Sequence, residues 1–498
     1  MRSSRTATFL AASAIATLVP VLAPTTASAA GNPLSQYLQQ KPAWHRCDKA
    51  EPATFQCATI KVPLDYSRPG GKKLDLAISR MRTSTEKERR GVLLLNPGGP
   101  GGPGLGMPQR QASELPKSVT RKYDLIGFDP RGMGQSSTVD CGLTQEEQDS
   151  ERAYRPETFA KDVRWARTFA EKCDAKLRHI TTRNTARDMD VIRAVLGEKK
   201  ISYLGYSYGT YLGAVYMQMF PRRSDRFVLD SAVDPARIWR GMNRLSAEAG
   251  EHAFTRWTEW TAKRNSTYKL GKTPQAVRKT FYDLVARADH KPIDLGAPMT
   301  GDDIRANGRG LFFTVRDAAD WVVMVKEAAT DGSPSAGQES KAPTPPPPSY
   351  STAMPSDNGE AGYWAIFCGD TRTWPRDPER YRRDAIRDKA RYPLYGDFAS
   401  NITPCAFWKK GGEQATRINN KVGALILQNE WDSQTPLAGG QGLRRALKGA
   451  KMVTVLGGEG HGVYGSKSCA DRTATAYLTT GKLPAKDFTC QAAPATRA

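Results

Sequence analysis

No Cys-x-x-Cys pair occurs in the 498 residues, although eight cysteines are present, so the closely spaced ligand pairs of a structural zinc site are missing. No basic stripe with interleaved aromatics interrupts the even spread of lysine and arginine, and no nucleic-acid-binding module stands out, which argues against a nucleic-acid partner. Long apolar runs are lacking as well. The one near the N-terminus, Thr8 to Leu22, is short and broken by Pro20 and then Pro24, so a membrane anchor is not expected. There is no internal repeat. Histidine is scarce, with five in the whole chain, which leaves few candidates for an imidazole base.

What is present begins with an export pattern. Arg2 and Arg5 precede the apolar stretch, and Ala27-Ser28-Ala29 follows it, the three zones of a secretory signal peptide over residues 1–29. Without an Arg-Arg pair, or a cysteine near the cleavage region, ordinary secretion is favoured over twin-arginine export or a lipid anchor. Residues 30–46 read as a pro-segment or as the start of the mature chain. An even number of cysteines in an exported protein predicts disulfides, and the simplest pairing joins neighbours: Cys47–Cys57, Cys141–Cys173, Cys368–Cys405 and Cys469–Cys490. The net charge of +22 is spread along the chain and implies no more than weak association with acidic cell-wall polymers.

Residues 57–82 read as a hairpin turning at Ser67-Arg68-Pro69-Gly70-Gly71. Six short apolar runs follow: Val92 to Leu95, Leu125 to Phe128, Ile201 to Leu204, Phe227 to Leu229, Ala424 to Leu427 and Met452 to Leu456. Such runs mark strands buried on both faces. Helical periodicity lies between several of them, most clearly over Thr185 to Leu196, so a mostly parallel sheet with helices on both faces is expected. The alternation stops between the fourth and fifth of these strands. Residues 236–420 are therefore read as a mainly helical lid inserted between core segments 47–235 and 421–498, with a mobile Pro-rich loop at 331–349. The lid holds Trp239, Trp257, Trp260, Trp321, Trp364, Trp374 and Trp408, read either as its own core or as walls of a cleft.

Gly205-Tyr206-Ser207-Tyr208-Gly209 follows the strand Ile201 to Leu204 and precedes a helix-like segment. A serine on so sharp a turn is presented to solvent, and the new helix aims its first N–H groups at it. A nucleophilic serine needs a base, an acid to orient that base, and donors for the oxyanion. Of the histidines, His45 lies near the mature N-terminus, His179 reads as surface, and His252 and His290 fall in the lid. His461 alone follows a terminal apolar run, through Gly457-Gly458-Glu459-Gly460. The acid is expected after Ala424 to Leu427 and before His461. Asp432 is the choice there, with Glu430 as alternative and Glu459 ranked lower. The oxyanion donors are expected to be the N–H groups of Tyr208 and of Gly99, with Gly98 second, from the loop Asn96-Pro97-Gly98-Gly99-Pro100-Gly101-Gly102-Pro103-Gly104. That loop also matches G-x-G-x-x-G at Gly99, Gly101 and Gly104. Pro100 and Pro103, however, remove N–H groups that a dinucleotide pyrophosphate would use.

Taken together, Asn96 to Gly104, Gly127 to Ser136, the Ser207 turn, Asp432 with Thr435-Pro436, and His461 resemble the secreted bacterial tripeptidyl aminopeptidases, α/β-hydrolases related to the proline iminopeptidases. The resemblance covers the core on both sides of the lid. It implies Ser207 as nucleophile, Asp432 as orienting acid and His461 as base, in a secreted serine exopeptidase that releases short peptides, tripeptides foremost, from free N-termini. Peptides and proteins with free N-termini are then the partners, and neither a metal nor an organic cofactor is needed. Binding a free terminus calls for a carboxylate to meet the ammonium; Glu251, Glu259, Glu327 and Asp370 are candidates. A carboxylesterase or lipase with the same three residues is the second reading, and a non-catalytic binder the third.

Overall fold

The computed structural model describes residues 33–331, 355–409 and 414–492. The segment read above as a signal peptide, and all but the first residue of the Pro-rich tract, lie outside the described residues. Twelve strands are present among them: β1 (His45–Arg46), β2 (Phe55–Pro63), β3 (Lys73–Met81), β4 (Gly91–Asn96), β5 (Tyr123–Phe128), β6 (Ile201–Tyr206), β7 (Ser224–Asp230), β8 (Ile293–Asp294), β9 (Pro298–Met299), β10 (Ala424–Trp431), β11 (Lys451–Glu459) and β12 (Phe488–Gln491). Ten form one sheet in the order β1-β2-β3-β5-β4-β6-β7-β10-β11-β12, and β8 pairs with β9 elsewhere.

The sheet is antiparallel from β1 through the β3–β5 pairing and parallel from β5 onward. The six apolar runs became β4, β5, β6, β7, β10 and β11, and every residue of β4 and β5 is buried, as strands covered on both faces require. The hairpin is β2–β3. The edge strand β12 was not anticipated, because its four residues alternate between half-buried and exposed and carry no apolar run. The expected Thr185–Leu196 helix runs over Thr182–Val195. It begins earlier because the Thr181 hydroxyl accepts the Asn184 N–H at 3.2 Å and caps it.

The turn after β5 is a structural knot. The Asp129 carboxylate takes the N–H groups of Leu105 (2.9 Å) and Gln135 (2.7 Å). Arg131, wholly buried, grips Asp188 of the Thr182–Val195 helix through two bonds of 2.7 and 2.6 Å. Removing one partner of such a pair strands a buried charge, at a cost of about 3–5 kcal/mol.

Between β7 and β10 the chain is mainly helical. Helices Arg240–Ala262, Pro274–His290, Gly301–Leu311 and Val315–Asp331 share an apolar core of their own around Phe254, Trp257, Phe281 and Phe312. By contrast, Asn358–Gly369 and the Pro404–Ala406 turn pack on the main core through Trp364, Phe367, Cys405 and Ala406. The tryptophans thus divide: Trp257 fills the helical core, while Trp239 and Trp364 also border a cavity.

All four neighbour-to-neighbour disulfides are formed. Cys368–Cys405 fastens the Asn358–Gly369 helix to the Pro404–Ala406 turn. Closing that loop in the unfolded chain is worth about 2–5 kcal/mol. A Cys368→Ser/Cys405→Ser double variant is therefore expected to melt several degrees lower in calorimetry. An unchanged Tm contradicts this role.

Candidate active site

Ser207 stands between β6 and the Tyr208–Met219 helix with φ 56° and ψ −124°. A non-glycine residue held there costs about 1–3 kcal/mol, so its surroundings must over-determine it. They do. The Ser207 N–H donates to Asp230 O (2.9 Å), and its carbonyl accepts the Thr210 N–H (2.9 Å) and hydroxyl (2.7 Å). Gly205 lets the turn close: a Cβ there would lie 2.5 Å from the Tyr203 ring and 2.7 Å from Gly209 O.

The glycine loop after β4 runs directly beside the serine. A Cβ on Gly98, which has φ 97°, would come within 2.5 Å of Tyr206 O and 3.0 Å of Ser207 Cβ. The Gly98 N–H is already committed to Asn96 Oδ1 at 3.1 Å. Gly99 instead borders the same cavity as Ser207 and Tyr208, and Tyr208, as the first residue of its helix, has an N–H with no intrahelical acceptor.

His461 follows β11, and its Nδ1 lies 2.8 Å from Asp432 Oδ2 after β10. The Asp432 side chain is inaccessible to solvent. It also receives the N–H groups of Gln434 (2.9 Å) and Thr435 (3.0 Å) and the Thr435 hydroxyl (2.9 Å), so its carboxylate is fixed from several directions. Burial pulls the imidazole pKa down, but the charge and hydrogen bond of Asp432, with Asp230 behind them, outweigh it and hold His461 above its ordinary 6.5. The two alternative acids are engaged elsewhere. Glu430 accepts the Gly457 N–H at 2.6 Å, and Glu459 pairs with Arg256 of the Arg240–Ala262 helix.

Two residues that sequence reasoning missed hold the histidine loop. Asp230, at the end of β7, accepts the N–H groups of Val463 (3.0 Å) and Tyr464 (2.7 Å) while its carbonyl binds the Ser207 N–H. Burial pushes its carboxyl up to about 6, with the Tyr464 and Val463 N–H groups and the Ser231 hydroxyl resisting the rise. Asn429 donates to the carbonyls of Glu459, Gly460 and Gly462. Both follow apolar strand runs, as Asp432 does, and that position was the available signal.

Above Ser207 lies a cavity of about 310 Å³ whose wall includes Gly99, Tyr208, Trp239, Arg309, Glu360, Trp364 and Thr435. That volume is at the lower end of small-ligand sites. None of Glu251, Glu259, Glu327 and Asp370 borders it. Glu251 is bound to Arg278 and the Leu394 N–H, and Asp370 to Thr182. The carboxylates on its wall are Glu151 and Glu360, neither of which lies in a sequence pattern that marks it.

A polar cavity lined by a serine on a strained turn, in a chain whose His461 imidazole is bound to the buried Asp432 carboxylate at the same end of the parallel sheet, is equipped for nucleophilic acyl transfer. The comparisons agree with that chemistry. The family model described as an alpha/beta hydrolase fold matches residues 91–280, and that described as a TAP-like protein matches residues 392–490. A tripeptidyl aminopeptidase of Streptomyces lividans is 36% identical over 486 residues, covering 90% of this chain and 86% of its own. The serine protease Hip1 of Mycobacterium tuberculosis is 30% identical over 492 residues, 91% of each chain. A protein of the same organism named carboxylesterase B is 29% identical over 489 residues, 90% of this chain and 89% of its own. The chain belongs to the tripeptidyl aminopeptidase family, serine hydrolases built on the α/β-hydrolase fold.

Proposed function

We propose that the protein is a secreted exopeptidase that releases tripeptides from free N-termini through an acyl-enzyme on Ser207. The observation that carries this reading is the His461–Asp432 pair at 2.8 Å on the same sheet edge as the Ser207 turn, in a chain whose relatives include tripeptidyl aminopeptidases. Because Nδ1 is taken by Asp432, Nε2 of His461 is the nitrogen left to accept the Ser207 proton. Oγ then attacks the carbonyl of the third residue, and the oxyanion is met by the N–H groups of Tyr208 and Gly99. The C–N bond breaks as His461 returns the proton to the leaving amine. Water repeats the cycle on the ester. Export is supported by the N-terminal pattern and by four disulfides among the described residues. Residues 236–420 act as the lid in this reading, and residues 47–235 and 421–498 as the catalytic core. The charge of +22 suits weak adherence to acidic cell-wall polymers.

A second reading, a carboxylesterase on the same residues, is favoured by the relative of that name. The substrate decides between them. A tripeptide anilide with a free amine should be cleaved well and its N-acetyl form poorly. Turnover of simple esters without any anilide turnover supports the second reading instead, and equal cleavage of the two anilides contradicts the first.

The rate should follow the ionisation of His461. Only the neutral imidazole accepts a proton, so kcat/KM is expected to fall as pH drops through an apparent pKa above 6.5. In Asp432→Asn the charge holding that pKa up is gone, while burial and Arg309 still lower it, so the acid limb moves to lower pH. The maximal kcat falls on the order of 10³–10⁴-fold. An acid limb that stays in place in Asp432→Asn contradicts the assignment. Ser207→Ala should abolish turnover, by a factor on the order of 10⁶; retention of more than a trace removes the serine from the chemistry.

A further inference from the structure

The parallel strands begin at the end of the sheet opposite Ser207, Asp432 and His461, and the segments leading into them are rich in lysine and arginine. Strands β4, β5 and β6 are six residues long, which sets this end about 20 Å from the serine turn. Most carboxylates there are already taken. Arg89 holds Asp124 at 2.8 Å and Glu198 at 2.6 Å, Arg90 holds Asp225 at 2.7 Å, and Arg444 holds Asp487 at 2.9 Å. The first three pairs tie the start of β4 to the starts of β5, β6 and β7, so these segments are neighbours in space.

Six cations are left over: Arg121 before β5, Lys199 and Lys200 before β6, Arg222 before β7, Lys421 before β10 and Lys448 before β11. All six are exposed, and among the described residues none of their side chains has an ion pair or hydrogen bond. The Lys448 N–H donates to Asn420 O at 2.9 Å, which brings the last two side by side. Adjacent strands lie about 4.8 Å apart, so the row from β5 to β11 is about 24 Å long. Neighbouring charges in it fall within the screening length of about 8 Å at physiological salt. Their repulsion is relieved when a chain of negative charges lies along the row.

The surroundings restrict what that chain is. Among the described residues Ile386 is the one large apolar side chain that is exposed, and it sits on the Pro378–Arg391 helix of the insertion. The end of the sheet therefore offers no apolar anchor for a protein partner or a lipid surface, and no exposed aromatic ring on which a nucleic-acid base could stack. Arg89 and Arg90, whose planar groups match carboxylates, are spent on Asp and Glu. Four of the six free cations are lysines, point charges suited to phosphate.

We propose that this end of the sheet is the surface by which the protein lies on a linear phosphodiester polymer of the poly(glycerol phosphate) type, with its serine turn facing away. The inference rests on the adherence to acidic polymers read above from the net charge, and gives that adherence a place and an orientation. Bound in this way, the enzyme keeps its site open to peptides in solution.

The test measures Kd for poly(glycerol phosphate) at low salt, with protein concentration taken as the sites labelled by a fluorophosphonate. One variant carries Lys199→Gln, Lys200→Gln, Lys421→Gln and Lys448→Gln. Its control, with the same net charge, carries Lys41→Gln, Lys263→Gln, Lys272→Gln and Lys291→Gln, four exposed lysines outside the row. The first should bind at least about tenfold more weakly than wild type and with a shallower salt dependence, and the control within about threefold of wild type. The kcat/KM for a tripeptide anilide should be the same in all three proteins, with or without polymer. Equal losses in the two variants, or no loss in the first, overturn the surface while leaving the adherence reading intact. A wild type that does not bind the polymer overturns both. Tighter binding of polyglutamate or DNA of equal charge overturns the choice of polymer, and polymer that blocks hydrolysis overturns the orientation.

Discussion

The carboxylate of Asp230, buried at the end of β7, holds two ends of the site in one register. Its backbone carbonyl takes the N–H of Ser207, and its side chain takes the N–H groups of Val463 and Tyr464, just beyond His461. A serine in a left-handed conformation and a histidine on a glycine-rich loop are each poorly determined locally. Bonded to the same residue, they share one frame. The neighbouring Ser231 hydroxyl accepts the Gly462 N–H at 2.9 Å and extends the clamp. β7 lies between β6, which leads into Ser207, and β10, which leads into Asp432, so the parallel order of the sheet makes the arrangement available. Ligand sites in open parallel sheets form at the carboxyl ends of the strands for the same reason.

Much of this was legible in the chain, because the signals are local. Continuous apolar runs mark strands buried on both faces, a serine between glycines after such a run marks a turn, and a single histidine follows the last long run. An even number of cysteines points to pairing between neighbours, and all four such pairs are formed here. What was hidden depends on pairs distant in sequence. Asp230 reads as the end of a strand, and only the fold brings position 464 to it. Glu151 and Glu360 are 209 positions apart, and only the fold sets them on the wall of one cavity. None of the four acids named for the ammonium from sequence borders that cavity, and two of them, Glu251 and Asp370, have partners of their own, which composition cannot reveal.

The helical segment between β7 and β10 divides into a part with its own aromatic core and a part that packs on the sheet's main core. The second part supplies Glu360 and Trp364 to the cavity, while the first supplies Arg309 and reaches the histidine loop through Arg256 and Glu459. Arg256 also lies over the Trp431 ring at 4.5 Å, beside Asp432. The helical segment and the loops bearing Asp432 and His461 are thus held together by side chains from both, and the serine turn lines the cavity.

The central claim is that Ser207 is reactive because His461, oriented by Asp432, can take its proton. Mass mapping of the fluorophosphonate adduct, with its rate of formation followed against pH, tests this most directly. The account predicts a single adduct on Ser207, forming at a rate that rises with pH through the His461 ionisation and is lost in His461→Ala. An adduct on another residue, or one that forms equally fast in His461→Ala, would contradict it.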